Sequence, residues 1–278
     1  MTSRAVQPRH PMEPVACRVL KVTGELADTF TMELAPPGGQ AVFSPGQFNM
    51  LYVFGHGEVP ISMSGDPARP ESLVHTIRGV GSVTNALLSL EPGEAVGVRG
   101  PFGSAWPLEA AVGKNVLVMA GGLGLAPLRP AIYHLLSHAR RYGALTLLYG
   151  TRGPDSVLYA AELERWAAQF DAEVTVDHAG PGWRGPVGVV TELLHRRAID
   201  KDNTVALVCG PEIMMRHCAR ALIDHGIPAD RIYVSMERNM QCALGLCGRC
   251  QYGPYFICQN GPVFSFDQVD RLFRIREL

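Results

Sequence analysis

The chain has 278 residues, 47% of them hydrophobic and 18% charged, with a net charge of −1, a composition that predicts two compact domains rather than a disordered chain. The near-neutral balance argues against nucleic acid or an anionic lipid surface as partner. No apolar run approaches the roughly 18 residues of a membrane span. The stretch Met1–Pro14 is polar, carries three prolines and lacks an apolar signal core; it reads as a loose arm on a cytoplasmic protein in a reducing compartment.

From Val15 to about Pro107 the signals are those of short strands, at Val15–Thr23, Thr29–Leu34, Gln47–Phe54, Ser72–Arg78 and Ala95–Arg99. They are rich in β-branched or aromatic residues and bounded by Pro/Gly turns, as in a small antiparallel barrel or sandwich. One helix is expected within it, over Gly81–Leu90 with Ser82 as N-cap. After a linker at Trp106–Lys114 the pattern alternates. Strands at Asn115–Ala120, Ala144–Tyr149, Ala172–Asp177, Thr204–Cys209 and Arg231–Val234 interleave with helices at Pro127–Arg141, Ala160–Gln169, Val189–Arg197 and Ile213–Asp224. Five such strands predict a doubly wound, five-stranded parallel α/β domain. The expected domains are therefore residues 15–107, 113–235 and a short segment, 236–278.

The first strand of the α/β part runs into Gly121-Gly122-Leu-Gly124-Leu-Ala126-Pro127. Glycines between a strand and a helix let backbone amides approach a pyrophosphate at the helix N-terminus. The string is G-G-x-G-x-A-P rather than G-x-G-x-x-G, so an ordinary strand–helix turn is the competing reading. The second strand ends in Thr151 and Arg152, with no acid to grip a ribose 2′-hydroxyl; Arg152 suits a 2′-phosphate, or else is a solvated loop charge. The fourth ends in Cys209-Gly210-Pro211, at the carboxyl edge where open α/β sheets bind ligands, although a thiol there is often a small core residue.

The C-terminal segment carries four of the seven cysteines within seventeen residues, Cys242, Cys247, Cys250 and Cys258, spaced C-x4-C-x2-C-x7-C. This matches the start of the plant-type spacing for a [2Fe-2S] cluster. Gly245 and Gly248 lie between the ligands, where such a loop needs positive φ and free amides. A structural zinc site and a disulfide framework are the alternatives. Beyond the cysteines, Phe266, Val269, Leu272, Phe273 and Ile275 fall near helical spacing, either as a docking helix for a partner or as one packed on its own domain.

In the barrel, Val59-Pro60-Ile61-Ser62, Ile77-Arg78-Gly79-Val80-Gly81-Ser82-Val83-Thr84 and Gly100-Pro101-Phe102-Gly103 stand out. Taken in order with the glycine string, Cys209-Gly210-Pro211 and the cysteine array, they resemble the ferredoxin–NADP reductase superfamily. Within it the chain resembles the gamma subunits of cytoplasmic NiFe hydrogenases (sulfhydrogenases), and also the electron-transfer subunits of dihydroorotate dehydrogenase and of anaerobic sulfite reductase. The resemblance implies an FAD-binding barrel, an NAD(P)-binding α/β domain and a [2Fe-2S] segment passing electrons to or from a catalytic subunit. A free-standing oxygenase reductase and a zinc scaffold without flavin are the other readings.

The resemblance places Pro60, Ile61 and Ser62 against the isoalloxazine, and Thr76, Ile77, Arg78, Gly81, Ser82, Val83 and Thr84 around the ribityl chain and phosphates. It places Gly121, Gly122, Gly124, Ala126 and Pro127 at the nicotinamide cofactor's pyrophosphate, and Cys209, Gly210 and Pro211 at the nicotinamide. Cys209 and Glu237 are the candidate catalytic residues; Glu237 with Arg238 either tunes the junction between flavin and cluster or forms a surface ion pair. The superfamily pattern R-x-Y-S is not kept: Val59 stands at the Arg position and Ile61 at the Tyr position, so a phosphate-binding cation and a stacking ring are both missing.

Overall fold

The computed structural model describes residues 10–275; residues 1–9 of the expected arm and the last three residues lie outside them. The first part contains β1 (Val15–Leu26), β2 (Thr29–Leu34), β3 (Phe48–Val53), β4 (Gly57–Ser62), β5 (Leu73–Arg78), α1 (Ser82–Leu88) and β6 (Ala95–Phe102). The strands lie in the order β4-β3-β6-β1-β2-β5, with every pairing antiparallel. A bridge between Met63 and His75 joins the two ends into a barrel. Its interior is filled by apolar side chains of alternating strand positions, among them Cys17, Val19, Met32, Leu51, Ile77 and Val98.

Two local features differ from expectation. The strand β4 holds the Val59–Ser62 motif, which composition alone leaves unassigned because Pro60 has no N–H for a ladder; at the end of the sheet order only β3 pairs with it, so a proline is accommodated. The helix α1 is capped by Gly81, not Ser82: Gly81 has extended backbone (φ −139°, ψ 175°), and Ser82 is the first helical residue. The Thr84 hydroxyl reaches back to accept the amides of Val80 (3.0 Å) and Gly81 (2.9 Å).

The second part alternates β7 (Asn115–Gly121), α2 (Leu125–Ser137), β8 (Leu145–Thr151), α3 (Ala160–Trp166), β9 (Asp171–Val176), α4 (Val190–His195), β10 (Thr204–Cys209), α5 (Glu212–Asp224) and β11 (Ile232–Ser235). Helix α2 ends earlier than expected because His138 leaves the helical region (φ −120°, ψ 26°), and a separate turn of 3-10 helix follows over Ala139–Arg141. The five strands are parallel. The sheet has a sixth member, however, and it comes from the C-terminal segment.

That segment forms the hairpin β12 (Gln251–Tyr252) and β13 (Tyr255–Phe256), then α6 (Ile257–Asn260), β14 (Val263–Ser265) and α7 (Phe266–Phe273). Strand β14 pairs antiparallel with β11, giving the order β14-β11-β10-β7-β8-β9. Helix α7 turns Phe266, Val269 and Phe273 inward, where they are buried, and Ile275, beyond its end, is exposed. It packs on its own domain and is not a free docking helix. Among the described residues no helix is long and apolar enough to cross a membrane.

Candidate functional site

The four cysteines of the C-terminal array lie between β11 and β14, with Cys242, Cys250 and Cys258 buried and Cys247 exposed. None is in a disulfide. The backbone supplies the donors that thiolate sulfur needs. Cys242 Sγ accepts N–H groups from Leu244 (3.3 Å), Leu246 (3.3 Å) and Cys247 (3.4 Å), and Cys258 Sγ accepts that of Gly245 (3.2 Å). The loop bends through positive φ at Ala243, Gly245 and Gly248. A side chain at Gly245 would also strike Gln259, 2.9 Å from the Cβ position.

Burial works to raise the Cys242 thiol, yet the three amides outweigh it and bring it below the ordinary range; burial dominates at Cys258 and raises it. Amides converging on these sulfurs are the environment an iron–sulfur cluster requires.

At the carboxyl edge of the second sheet, the glycine string and the Cys209 loop meet backbone to backbone. A Cβ on Gly124 would lie close against the carbonyl of Cys209, one on Gly121 would strike Met214, and one on Gly210 would stand 3.1 Å from the Gly121 main chain. These three glycines are there for close approach. Gly122 differs: its φ is +51° and a Cβ there would meet open space. Ala126 and Pro127 are buried, and the Pro127 carbonyl accepts the Trp106 indole N–H (3.1 Å), so their side chains support the turn from beneath. Thr151 is buried with its hydroxyl on the Gly153 carbonyl (3.1 Å), while Arg152 is exposed beside it.

Cys209 is buried, and burial, aided by the nearby charge of Glu237, raises its thiol far above the usual value. Glu237 is still reached by solvent, although the protein around it raises its carboxyl. The fold thus brings these two together. Arg238 stacks on the Tyr252 ring at 4.5 Å and faces Glu212 at 3.5 Å.

On the barrel, Val59 and Ile61 of β4 lie half-buried against the core edge with Val83 of α1, and Glu58, Pro60 and Ser62 alternate onto the opposite face. Val and Ile therefore form an apolar surface beside the start of α1. The hydroxyl of Thr76 is committed elsewhere, to Thr31 (2.9 Å), Ser64 (2.9 Å) and Tyr159 (2.5 Å). Ile77 is in the core, and Arg78 is exposed and paired with Asp28 at 2.7 Å. With Thr84 taking the amides of Val80 and Gly81, the exposed Ser82 and half-buried Val83 contribute the first-turn amides, which have no helical acceptor.

Comparison with known proteins adds the family. Residues 118–220 match the oxidoreductase NAD-binding domain, and residues 237–270 match the iron–sulfur cluster binding domain of dihydroorotate dehydrogenase B. The gamma subunit of sulfhydrogenase 2 from Pyrococcus furiosus is 34% identical, over 81% of this chain and 83% of its own. A probable dihydroorotate dehydrogenase B electron-transfer subunit from Methanocella arvoryzae is 37% identical, over 82% and 81%. The chain belongs to the family of these electron-transfer subunits.

A solved NADH-dependent reduced ferredoxin–NADP oxidoreductase has the same fold, with a TM-score of 0.74, 25% identity and coverage of 94% of both chains. As a member of this family, the protein is an electron-transfer oxidoreductase subunit that uses NAD(P), FAD and an iron–sulfur cluster. The zinc-scaffold and disulfide readings fall, since the cysteine segment matches a cluster-binding family and its thiols are all free.

One cluster of polar residues has no signature in the sequence. Arg129 of α2 grips Glu162 of α3 through two hydrogen bonds (2.8 and 2.5 Å) and donates to the Ser64 carbonyl of the barrel (3.1 Å). Its guanidinium covers the ring of Tyr159 at 4.2 Å, and the Tyr159 hydroxyl is bonded to Thr76. Barrel and α/β sheet are thereby joined by a buried polar network whose members lie far apart in sequence.

Proposed function

We propose that this chain is the nicotinamide-linked, [2Fe-2S]-bearing subunit of a cytoplasmic multisubunit redox complex whose catalytic partner is a NiFe hydrogenase. The observation that carries the reading is the exposure of Cys247 beside three buried thiols, on a loop whose tip, Leu246–Arg249, faces outward with Leu246 78% exposed. Such a tip suits electron exit to another protein. The hydrogenase assignment rests on two sulfhydrogenase gamma subunits that match over four-fifths of the chain and on the Val59–Ser62 motif, which lacks the arginine of the superfamily pattern.

Residues 15–107 are assigned to FAD, 113–235 to NAD(P) and 236–278 to the cluster, with Cys242, Cys247, Cys250 and Cys258 as its ligands. Bound flavin supplies the conversion of a two-electron hydride into single electrons for the cluster. The chain's own residues do the rest. Ile61 and Val59 offer the apolar support for a ring, while Ser82, Val83 and Arg78 face the phosphates. Gly122 leaves room for the nicotinamide cofactor's pyrophosphate, Arg152 stands at its ribose end, and Gly210 and Pro211 shape the nicotinamide end with Cys209 neutral beneath them. Glu237 sets the charge at that end.

Anaerobic purification of the native complex tests the partner. Hydrogenase large and small subunits are expected to co-purify and to support hydrogen-dependent reduction of NAD(P)+. A chain that elutes alone, or with an activity on dihydroorotate, sinks the hydrogenase assignment.

A further inference from the structure

Arg99, near the end of β6, is a cation with 3% of its surface exposed, enclosed between the barrel and the cysteine loop. Its five N–H groups all have acceptors. Nε and one terminal nitrogen hold the Glu58 carboxylate of β4 (3.0 and 2.7 Å), and that nitrogen's second hydrogen goes to the Gln241 carbonyl (3.1 Å). The other terminal nitrogen donates to the carbonyl of Cys242 (3.0 Å) and to that of Pro11 (3.1 Å), and also approaches the Met12 sulfur (3.6 Å). One guanidinium thus joins the strand of the Val59–Ser62 motif, the N-terminal arm and the main chain of the first cysteine of the array.

A buried cation is costly, and an apolar side chain of equal volume commonly gives equal or greater stability. Fork-shaped bonding to a carboxylate together with two carbonyls of one loop gives what an apolar residue cannot, a fixed register between β4 and the loop. It also leaves a permanent positive charge beside the Cys242 backbone. Glu58 offsets that charge only in part, because its side chain is 24% exposed against 1% for Arg99, and solvent screens the more exposed partner.

We propose that Arg99 is a positioning residue for electron transfer: it fixes the Cys242 end of the cluster loop against β4, and its charge favours the reduced cluster. The proposal rests on the assignment of FAD to the barrel and of the cluster to the four cysteines. The step it would serve is a one-electron transfer from a flavin held by the barrel, as reductant, to a cluster held by Cys242, Cys247, Cys250 and Cys258, as oxidant.

The test uses the full-length protein purified anaerobically with its cofactors, as wild type, Arg99→Met, Arg99→Lys and Glu58→Gln. Flavin, iron and sulfide per chain are measured first; a wild-type protein without them overturns the cofactor assignment rather than this proposal. Cluster potential is then read by redox titration followed by EPR, and flavin and cluster reduction by stopped flow with NAD(P)H.

Arg99→Met is expected to reduce its flavin at the wild-type rate, to pass electrons to the cluster roughly ten- to a hundred-fold more slowly, and to show a more negative cluster potential. Glu58→Gln, which uncovers the cation, is expected to shift the potential the other way. Potentials moving in the same direction in the two variants, or a fully loaded Arg99→Met with wild-type rate and potential, would overturn the proposal. Should Arg99→Met fail to load, Arg99→Lys decides, since it keeps the charge with three donors in place of five: slowed transfer at near-normal potential supports the assignment, and wild-type transfer refutes it.

Discussion

His75 shows how one buried side chain ties the barrel to pH. It is fully enclosed, with Nδ1 on the Ser62 carbonyl (3.0 Å) and Nε2 facing the Asn49 amide nitrogen (3.2 Å). The carbonyl can only accept and the amide nitrogen can only donate, so the ring is neutral with its proton on Nδ1. Burial lowers its pKa from 6.5 to about 4 despite the carbonyl's opposing effect. The unfolded chain binds a proton in this window and the folded chain does not, so stability is intact above pH 6.5 and falls as pH drops towards 4, by about 3 kcal/mol at this site. Urea unfolding between pH 7.5 and 4.5 should therefore show a steeper loss for wild type than for His75→Gln; parallel slopes would refute the assignment. The glycine string, too, is understood only at this scale. Its sequence suggests a phosphate cradle, but Gly121, Gly124 and Gly210 are fixed by contact with neighbouring backbone and side chains, and Gly122 alone opens to solvent space.

At the scale of elements, periodicity finds what local composition encodes and misses what pairing decides. All five parallel strands and the four helices between them are legible, because each combines an apolar run with a turn signal. Strand β4 is not, since Pro60 is acceptable only at that place in the sheet order, a property of the fold. Helix α7 is legible as amphipathic, but which surface its apolar stripe meets is settled by the short strand β14 before it. The Arg129–Glu162 pair between α2 and α3 belongs to the same class of hidden features. Both side chains are nearly enclosed (11% and 15% exposed), so removal of the cation leaves a carboxylate held mainly by the Tyr133 hydroxyl at 3.0 Å and by Arg165 at 3.8 Å. Arg129→Met is expected to cost about 3 kcal/mol in chemical unfolding. Adding Glu162→Leu should restore part of that loss, because no buried charge then lacks a partner. Additive losses in the double variant would mean that packing, not charge, holds this junction.

For the whole molecule, the spacing of the cysteines tells that a cluster segment exists but not that it completes the body of the protein. Phe48 and Met50 of the barrel, Leu117, Met119 and Val234 of the parallel sheet, and Tyr252, Ile257, Phe264, Val269 and Phe273 of the C-terminal segment share one continuous apolar core. Polar bonds reinforce the junction. Ser104, just past β6, donates its hydroxyl to the Val263 carbonyl (2.9 Å) and its amide to the Gly261 carbonyl (2.5 Å), and the Met236 amide bonds to the Pro262 carbonyl (2.8 Å). Gly103, the last residue of the Gly100-Pro101-Phe102-Gly103 string, has no side chain because Pro262 lies where its Cβ would be, only 2.5 Å away. The segment therefore folds on the reductase rather than beside it. Each of its large apolar side chains contributes about 1.5–3 kcal/mol when buried, most of which an isolated segment would forfeit, and a chain below about 70 residues has little core of its own to replace it. A peptide of residues 236–278, supplied with iron and sulfide under reducing anaerobic conditions, is expected to show unfolded far-UV circular dichroism and to lose its iron on gel filtration. In the full-length protein, cluster absorbance and helical signal should disappear together in one transition. A peptide that retains iron with a cluster-like EPR spectrum would show instead that the four cysteines and their loop are an autonomous unit, and that the shared core stabilises the junction without being needed for the cluster.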